Sequence, residues 1–201
     1  MKASLVIVDI ARCAELLERP ERFCSEDRLI RCASLENAAA RMQGLAAELA
    51  LSYALSGDRF EPPDYRRDEN GKPIIEGGYV SLSHSGNFAV CAYAPCPVGV
   101  DIEERRAVSP AAARRILTEA EFSEYSSGGD PDLALSRFVM KEAYLKLTGD
   151  GVFGGMNRIF ERDGQVFRDG VRKGFSYRFG ESFIGCAVTA EPCSFVTEYV
   201  K

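Results

Sequence analysis

Leu5-Val6-Ile7-Val8 is a short apolar run, broken by Asp9 and Arg12, and predicts a first strand. Ala11 to Leu17 predicts a short helix ending near Pro20. Ser25-Glu26-Asp27 sets a capping residue before acids in the first turn of a second helix. From Glu36 to Leu55 the pattern is helical, with Ala38, Leu45, Leu49 and Tyr53 in an apolar stripe and Gly57-Asp58 at its end. Arg59 to Glu69 is mostly polar, with Pro62-Pro63 near its start, and predicts a loop with one edge strand at most. Asn70-Gly71 marks a turn. Tyr79–Ser83 and Phe88–Tyr93 read as strands, joined through Ser85-Gly86-Asn87 as a hairpin, and Pro95-Cys96-Pro97 then breaks the chain.

Val98 to Glu103 reads as the next strand. Ser109-Pro110 supplies an N-cap and a first-turn proline. Thr118 and Glu121 have the spacing of a capping box. After the loop Ser126–Gly129, Asp130-Pro131 starts a long helix that Gly149 ends. Strands are expected around Arg158–Glu161, Gln165–Arg168, Phe175–Phe179, Phe183–Ala190 and Phe195–Tyr199. Phe88-Ala89-Val90-Cys91-Ala92 and Phe183-Ile184-Gly185-Cys186-Ala187 share F-x-x-C-A near the ends of two halves of similar length. The pattern is compatible with an α+β fold of two related halves, 1–97 and 98–201.

Composition narrows the class. A chain of 201 residues, 46% hydrophobic and 27% charged, has the make-up of a soluble globular protein. A net charge of −5 argues against a general nucleic-acid surface. No apolar run approaches the roughly 18 residues of a membrane span. The seven cysteines include no C-x-x-C pair and there is one histidine, so a zinc site has no support. Cys91 and Cys186 sit in apolar runs as reduced core residues, and a cytoplasmic location follows as the expectation.

Two stretches carry the candidate chemistry. On the Val98–Glu103 strand, Asp101 and Glu103 share a face. On the long helix, Glu142 and Lys146 lie one turn apart. Packed together, these elements would converge three carboxylates, an oxygen donor set suited to Mg²⁺. The plainer alternative is an exposed edge strand and a surface ion pair worth about 0.2–0.5 kcal/mol. Against it, the strand is apolar apart from Asp101, so the carboxylate needs a partner. Lys72 after the Asn70-Gly71 turn, and Ser83-His84-Ser85 at a strand end, offer donors to an anion. Each also reads as an ordinary loop or turn residue. None of the cysteines has a base beside it that would mark a nucleophile.

The ordered set Asn70-Gly71-Lys72-Pro73, Ser83-His84-Ser85, Gly99-Val100-Asp101-Ile102-Glu103 and Lys141-Glu142-Ala143-Tyr144-Leu145-Lys146 resembles the motifs of 4′-phosphopantetheinyl transferases of the long, surfactin-synthetase-activator type. The motifs run from Gly71 to Gly151. The resemblance implies the two-half fold of that family, with coenzyme A in the cleft between the halves. It implies transfer of the phosphopantetheine arm to a serine of an acyl or peptidyl carrier protein by a monomer. Carried over, Asp101, Glu103 and Glu142 would hold Mg²⁺, and Glu142 or Glu121 would activate the serine. Lys146 would neutralise the pyrophosphate and the departing 3′,5′-ADP. Lys72, Ser83 and His84 would bind coenzyme A phosphates, with Arg41 toward the nucleotide. Phe138 and Val139 depart from the family's usual Trp and hydroxyl or thiol residue, removing one hydrogen-bonding group but no metal ligand. The same acids would also suit a Mg²⁺-dependent pyrophosphate or phosphodiester hydrolase, and a non-catalytic carrier-binding module is the third alternative.

Overall fold

The computed structural model describes residues 1–69, 71–150 and 155–200. Asn70 of the expected turn and Gly151 at the end of the motif span lie outside them. Among the described residues the order is β1 (Lys2–Asp9), α1 (Ala14–Leu17), α2 (Glu26–Ala33), α3 (Ala38–Ser56), β2 (Arg66–Arg67), β3 (Pro73–Ile74), β4 (Tyr79–Ser85) and β5 (Phe88–Ala94). Then come β6 (Val98–Glu104), α4 (Pro110–Ile116), α5 (Glu119–Ser126), α6 (Leu133–Thr148), β7 (Ile159–Arg162), β8 (Gln165–Arg168), β9 (Val171–Phe179), β10 (Phe183–Thr189) and β11 (Ser194–Tyr199). The fold is α+β, as the patterning implied.

The chain divides into two compact units, Met1–Pro95 with Ser194–Lys201, and Cys96–Cys193. The expected division at 97/98 is close at the first crossing, but the last strand does not stay with the second half. β11 returns to the first unit and pairs in parallel with β1, from Lys2 opposite Ser194 to Ile7 opposite Tyr199. Sequence order cannot reveal such a return, because parallel pairing between distant segments leaves no local signal.

The first unit has the sheet order β11-β1-β5-β4. Ser25 caps α2 by accepting the Arg28 N–H, and Asn37 caps α3 by accepting the Ala40 N–H. Alanine and leucine let α3 bury Leu45, Leu49 and Leu51 completely or nearly so. Its apolar residues pack with Val6 and Val8 of β1 and with Ala89 and Cys91 of β5.

The second unit has the order β6-β10-β9-β8-β7. Ser109 caps α4 with Pro110 in its first turn, and Thr118 and Glu121 form the expected capping box on α5. α6 starts at Leu133, later than Asp130-Pro131 suggested, because the Asp130 carboxylate accepts the Asp132 N–H in a turn ahead of the helix. Gly149, at φ 79°, ends it. Met140, Ala143 and Tyr144 of α6 pack with Ile184, Cys186 and Val188 of β10.

The two units share a plan. In each, a first strand precedes a long helix, and a later antiparallel strand pairs with that first strand: β1, α3 and β5 in one, β6, α6 and β10 in the other. The F-x-x-C-A repeat falls on β5 and β10 and fixes their correspondence. Cys91 pairs with Val6, and Cys186 pairs with Asp101. Ala89 pairs with Val8, and Ile184 pairs with Glu103.

Candidate active site

Strand alternation sends Asp101 and Glu103 to the α6 face of β6, while Ile102 is buried on the other. Gly99 is on the same face as the acids. A Cβ there would lie 2.0 Å from the Ala143 carbonyl oxygen and 2.5 Å from the Leu147 nitrogen, so only glycine lets α6 come this close. That approach brings the one-turn pair of α6 to the acids of β6.

Lys146 Nζ donates to Asp101 Oδ1 at 2.7 Å, and Asp101 is buried. Glu103 is partly exposed, with an Arg106 guanidinium nitrogen 3.6 Å from its Oε1. Glu142 is half-buried, and its Oε1 is buried with no hydrogen-bond partner among the described residues. Burial raises the Glu142 carboxyl above the usual carboxylate range. Asp101 and, less strongly, Glu103 push the same way, while Lys146 opposes them. Among the described residues no three His, Cys, Asp or Glu side chains stand close enough to chelate a metal. The donor chemistry nevertheless fits a hard divalent cation. Asp101 and Glu103 both oppose the ionised Glu142 carboxylate, which carries a buried oxygen without a hydrogen-bond partner among the described residues; a cation would relieve both.

Glu121 has a different setting. Its Oε2 accepts the Thr118 N–H at 2.9 Å and Lys141 Nζ at 2.5 Å, and Lys141 is wholly buried and also donates to the Ile116 carbonyl at 2.9 Å. Arg137 lies 3.5 Å from Glu121 Oε1 and 3.2 Å from Glu161 Oε2, and Arg178 completes the series on Glu161. Burial lowers the Lys141 ammonium, against the pull of Glu121. Alternating charges thus join α5, α6, β7 and β9. Lys141 and Arg137 lie four apart on α6, a spacing visible in the sequence, but the partners that bury them come from distant segments.

The remaining candidates lie in the first unit. Ser83 is buried and His84 is exposed, on opposite faces of β4. Gln43 of α3 donates to the Gly86 carbonyl in the turn that follows. Lys72 is partly exposed, and burial lowers its ammonium, against the pull of Asp68. Asp68 fixes that turn: its side chain accepts the Lys72 N–H, and its own N–H donates to the Lys72 carbonyl. Arg67 donates to the Gly71 carbonyl and to the Tyr65 hydroxyl, and Tyr65 in turn donates to Glu48. Arg41 is exposed and donates to the Leu35 carbonyl at 2.8 Å. Arg28 pairs with the fully buried Glu48 at 3.0 Å, so that charge is used inside the unit. Glu48, an apparently misplaced acid in an apolar helix, was the anchor that sequence patterning missed.

Residues 97–182 match the family model of the 4′-phosphopantetheinyl transferase superfamily. The chain is 34% identical over 111 residues to 4′-phosphopantetheinyl transferase psf-1 of Bacillus pumilus, a match covering 51% of this chain and about half, 48%, of that relative. It is 26% identical over 178 residues to 4′-phosphopantetheinyl transferase Sfp of Bacillus subtilis, covering 83% of this chain and 80% of that one. A solved holo-[acyl-carrier-protein] synthase of Thermotoga maritima aligns with 48% of this chain and 63% of its own at 24% identity and a TM-score of 0.38, too slight a likeness to argue from. Residues 97–182, which carry Asp101, Glu103, Glu142 and Lys146, are thus similar to the 4′-phosphopantetheinyl transferase superfamily, and the chain is similar to individual transferases of that name.

Proposed function

We propose that this protein is a holo-[acyl-carrier-protein] synthase type enzyme that transfers the 4′-phosphopantetheine group of coenzyme A to a serine of an apo carrier protein and releases 3′,5′-ADP. The observation that carries the reading is the under-partnered Glu142 set against Asp101 and Glu103, within the segment that matches the family. Asp101, Glu103 and Glu142 would hold Mg²⁺. The metal, when bound, supplies Lewis-acid polarisation of pyrophosphate oxygens.

The chain's own groups do the rest. Lys146, which donates to Asp101, would meet negative charge as it grows on the pyrophosphate. Glu142 would serve as the general base, directly or through one water, because its buried oxygen lacks a hydrogen-bond partner among the described residues and it lies beside the acids of β6. Glu121 is committed to its cap and to Lys141, which favours a positioning role on α6. Lys72, Ser83 and His84 would bind coenzyme A phosphates, with Arg41 a weaker contributor because its guanidinium already serves Leu35. The seven cysteines are free thiols, most of them buried, which supports a reducing, cytoplasmic setting. No helix among the described residues is long and apolar enough to cross a membrane. The enzyme is proposed to work as a monomer.

The test is intact-mass spectrometry of apo carrier proteins after incubation with enzyme, coenzyme A and Mg²⁺. A metal-dependent gain of one phosphopantetheine group is expected. Release of 3′,5′-ADP with no carrier modified would instead point to a hydrolase.

A further inference from the structure

Cys96 and Cys193 are the first and last residues of the second unit. Their sulfurs lie 3.6 Å apart although the residues are 97 positions apart in sequence. The backbone beside them is fixed by the sheet: the Ala190 N–H donates to the Pro97 carbonyl at 3.0 Å, and Thr189 pairs with Val98. Cys96 is 6% exposed, whereas Cys193 is partly exposed. One thiol is therefore open to a small reagent, and the other is held against it.

We propose that Cys96 and Cys193 are a disulfide-forming site, oxidised by small-molecule disulfides. A disulfide needs its sulfurs at about 2 Å, a closure within reach of side-chain rotation from the observed contact. The Cys193 thiolate attacks one sulfur of the oxidant, forming a mixed disulfide and expelling one small thiolate. The Cys96 thiolate then attacks the Cys193 sulfur and expels the second. Two protein thiols are oxidised, one small disulfide is reduced to two thiols, and the two protons leave with the products. In a reducing medium the pair stays as thiols. Burial, with the hydrogen bond to Cys96, holds the Cys193 thiol above its ordinary value, so ring closure quickens as pH rises.

The cross-link would enclose the whole second unit in one covalent ring. Long rings restrict the unfolded chain most, so oxidation should raise the melting temperature, by roughly 10 °C. The site lies outside the acids and cations assigned to transfer, so its test does not depend on that assignment.

The experiment incubates the folded, reduced protein with oxidised glutathione at several pH values, then blocks remaining thiols and measures intact mass. A loss of two hydrogens is expected, faster at higher pH, with a non-reducing digest joining the Cys96 and Cys193 peptides. Cys193→Ser and Cys96→Ser should each abolish ring closure and the rise in melting temperature, while Cys13→Ser keeps both. A stable glutathione adduct on Cys193, or a disulfide joining other cysteines, would overturn the proposal. So would unmodified thiols at high pH in protein that melts normally.

Discussion

The first unit buries Val6 and Val8 of β1 under α3, and at the corresponding places in the second unit stand Asp101 and Glu103 of β6. The scaffold is the same, and the chemistry is opposite. Each long helix also carries an acid. Glu48 of α3 is fully buried and fully answered: Ser25, Arg28 and Tyr65 all donate to it. Glu142 of α6 has one buried oxygen without a hydrogen-bond partner among the described residues, and two acids beside it. A buried carboxylate with a complete set of donors ties segments together. One left short of donors, among like charges, holds unfavourable energy that a cation can release. On the proposed function, the difference between the units is the difference between a structural and a reactive acid.

The comparison can be broken by writing one unit into the other. Asp101→Val gives β6 the residue of β1, and transfer to a carrier protein should fall by roughly 10³-fold or more, with the circular dichroism spectrum unchanged. Full activity in that variant would remove Asp101 from the site. The reverse change, Val6→Asp, forces an unanswered carboxylate under α3. It should cost about 3 kcal/mol or more of stability, read from the urea midpoint. Glu48→Ala strands the Arg28 guanidinium and should cost about 2–4 kcal/mol. Below the unfolding transition its kcat should stay near wild type while the KM for coenzyme A rises, because Tyr65 and Arg67 lose the anchor that steadies the Lys72 turn.

Glu121→Gln sharpens the contrast between positioning and base. It keeps an acceptor for the cap but removes the charge facing Lys141, so kcat should drop roughly 10–100-fold. Its pH–rate profile should keep the acidic limb that Glu142→Gln abolishes; loss of that limb would make Glu121 the base. The smallest effect is on stability. With metal removed, ionised Glu142 opposes folding, because its carboxyl titrates higher in the folded chain than in the unfolded one. The penalty is present in full above the folded value and vanishes below the unfolded one, near 4. Metal-free Glu142→Gln should therefore melt above wild type at neutral pH, and the gap should close as the medium is acidified through that range.

The acid strand and the Glu142 helix were legible because both periods are short and local. A two-residue repeat put Asp101 and Glu103 on one face and a four-residue spacing put Lys146 beside Glu142, whereas the close approach that Gly99 permits emerged only from the structure. The F-x-x-C-A repeat pointed to the shared plan of the units, since its cysteines sit at matching registers. Long-range partners were not legible. Thr118 and Glu121 announced a cap, but nothing near them announced Lys141 as the buried partner. β11 looked like one more strand of the second half, because its largely exposed residues carry no mark of parallel pairing with β1. Ser83 and His84 are adjacent in sequence yet face opposite ways, which strand geometry dictates and a motif read as a string conceals.

The most direct measurement is calorimetric titration of Mg²⁺ into protein saturated with coenzyme A, comparing wild type with Asp101→Val and subtracting Mg²⁺ binding to coenzyme A alone. The acids of the second unit require saturable binding of the metal by wild type and its loss in a variant that still folds and still binds coenzyme A. Equal Mg²⁺ binding by the two proteins would contradict the placement of the reaction on the acid face of β6.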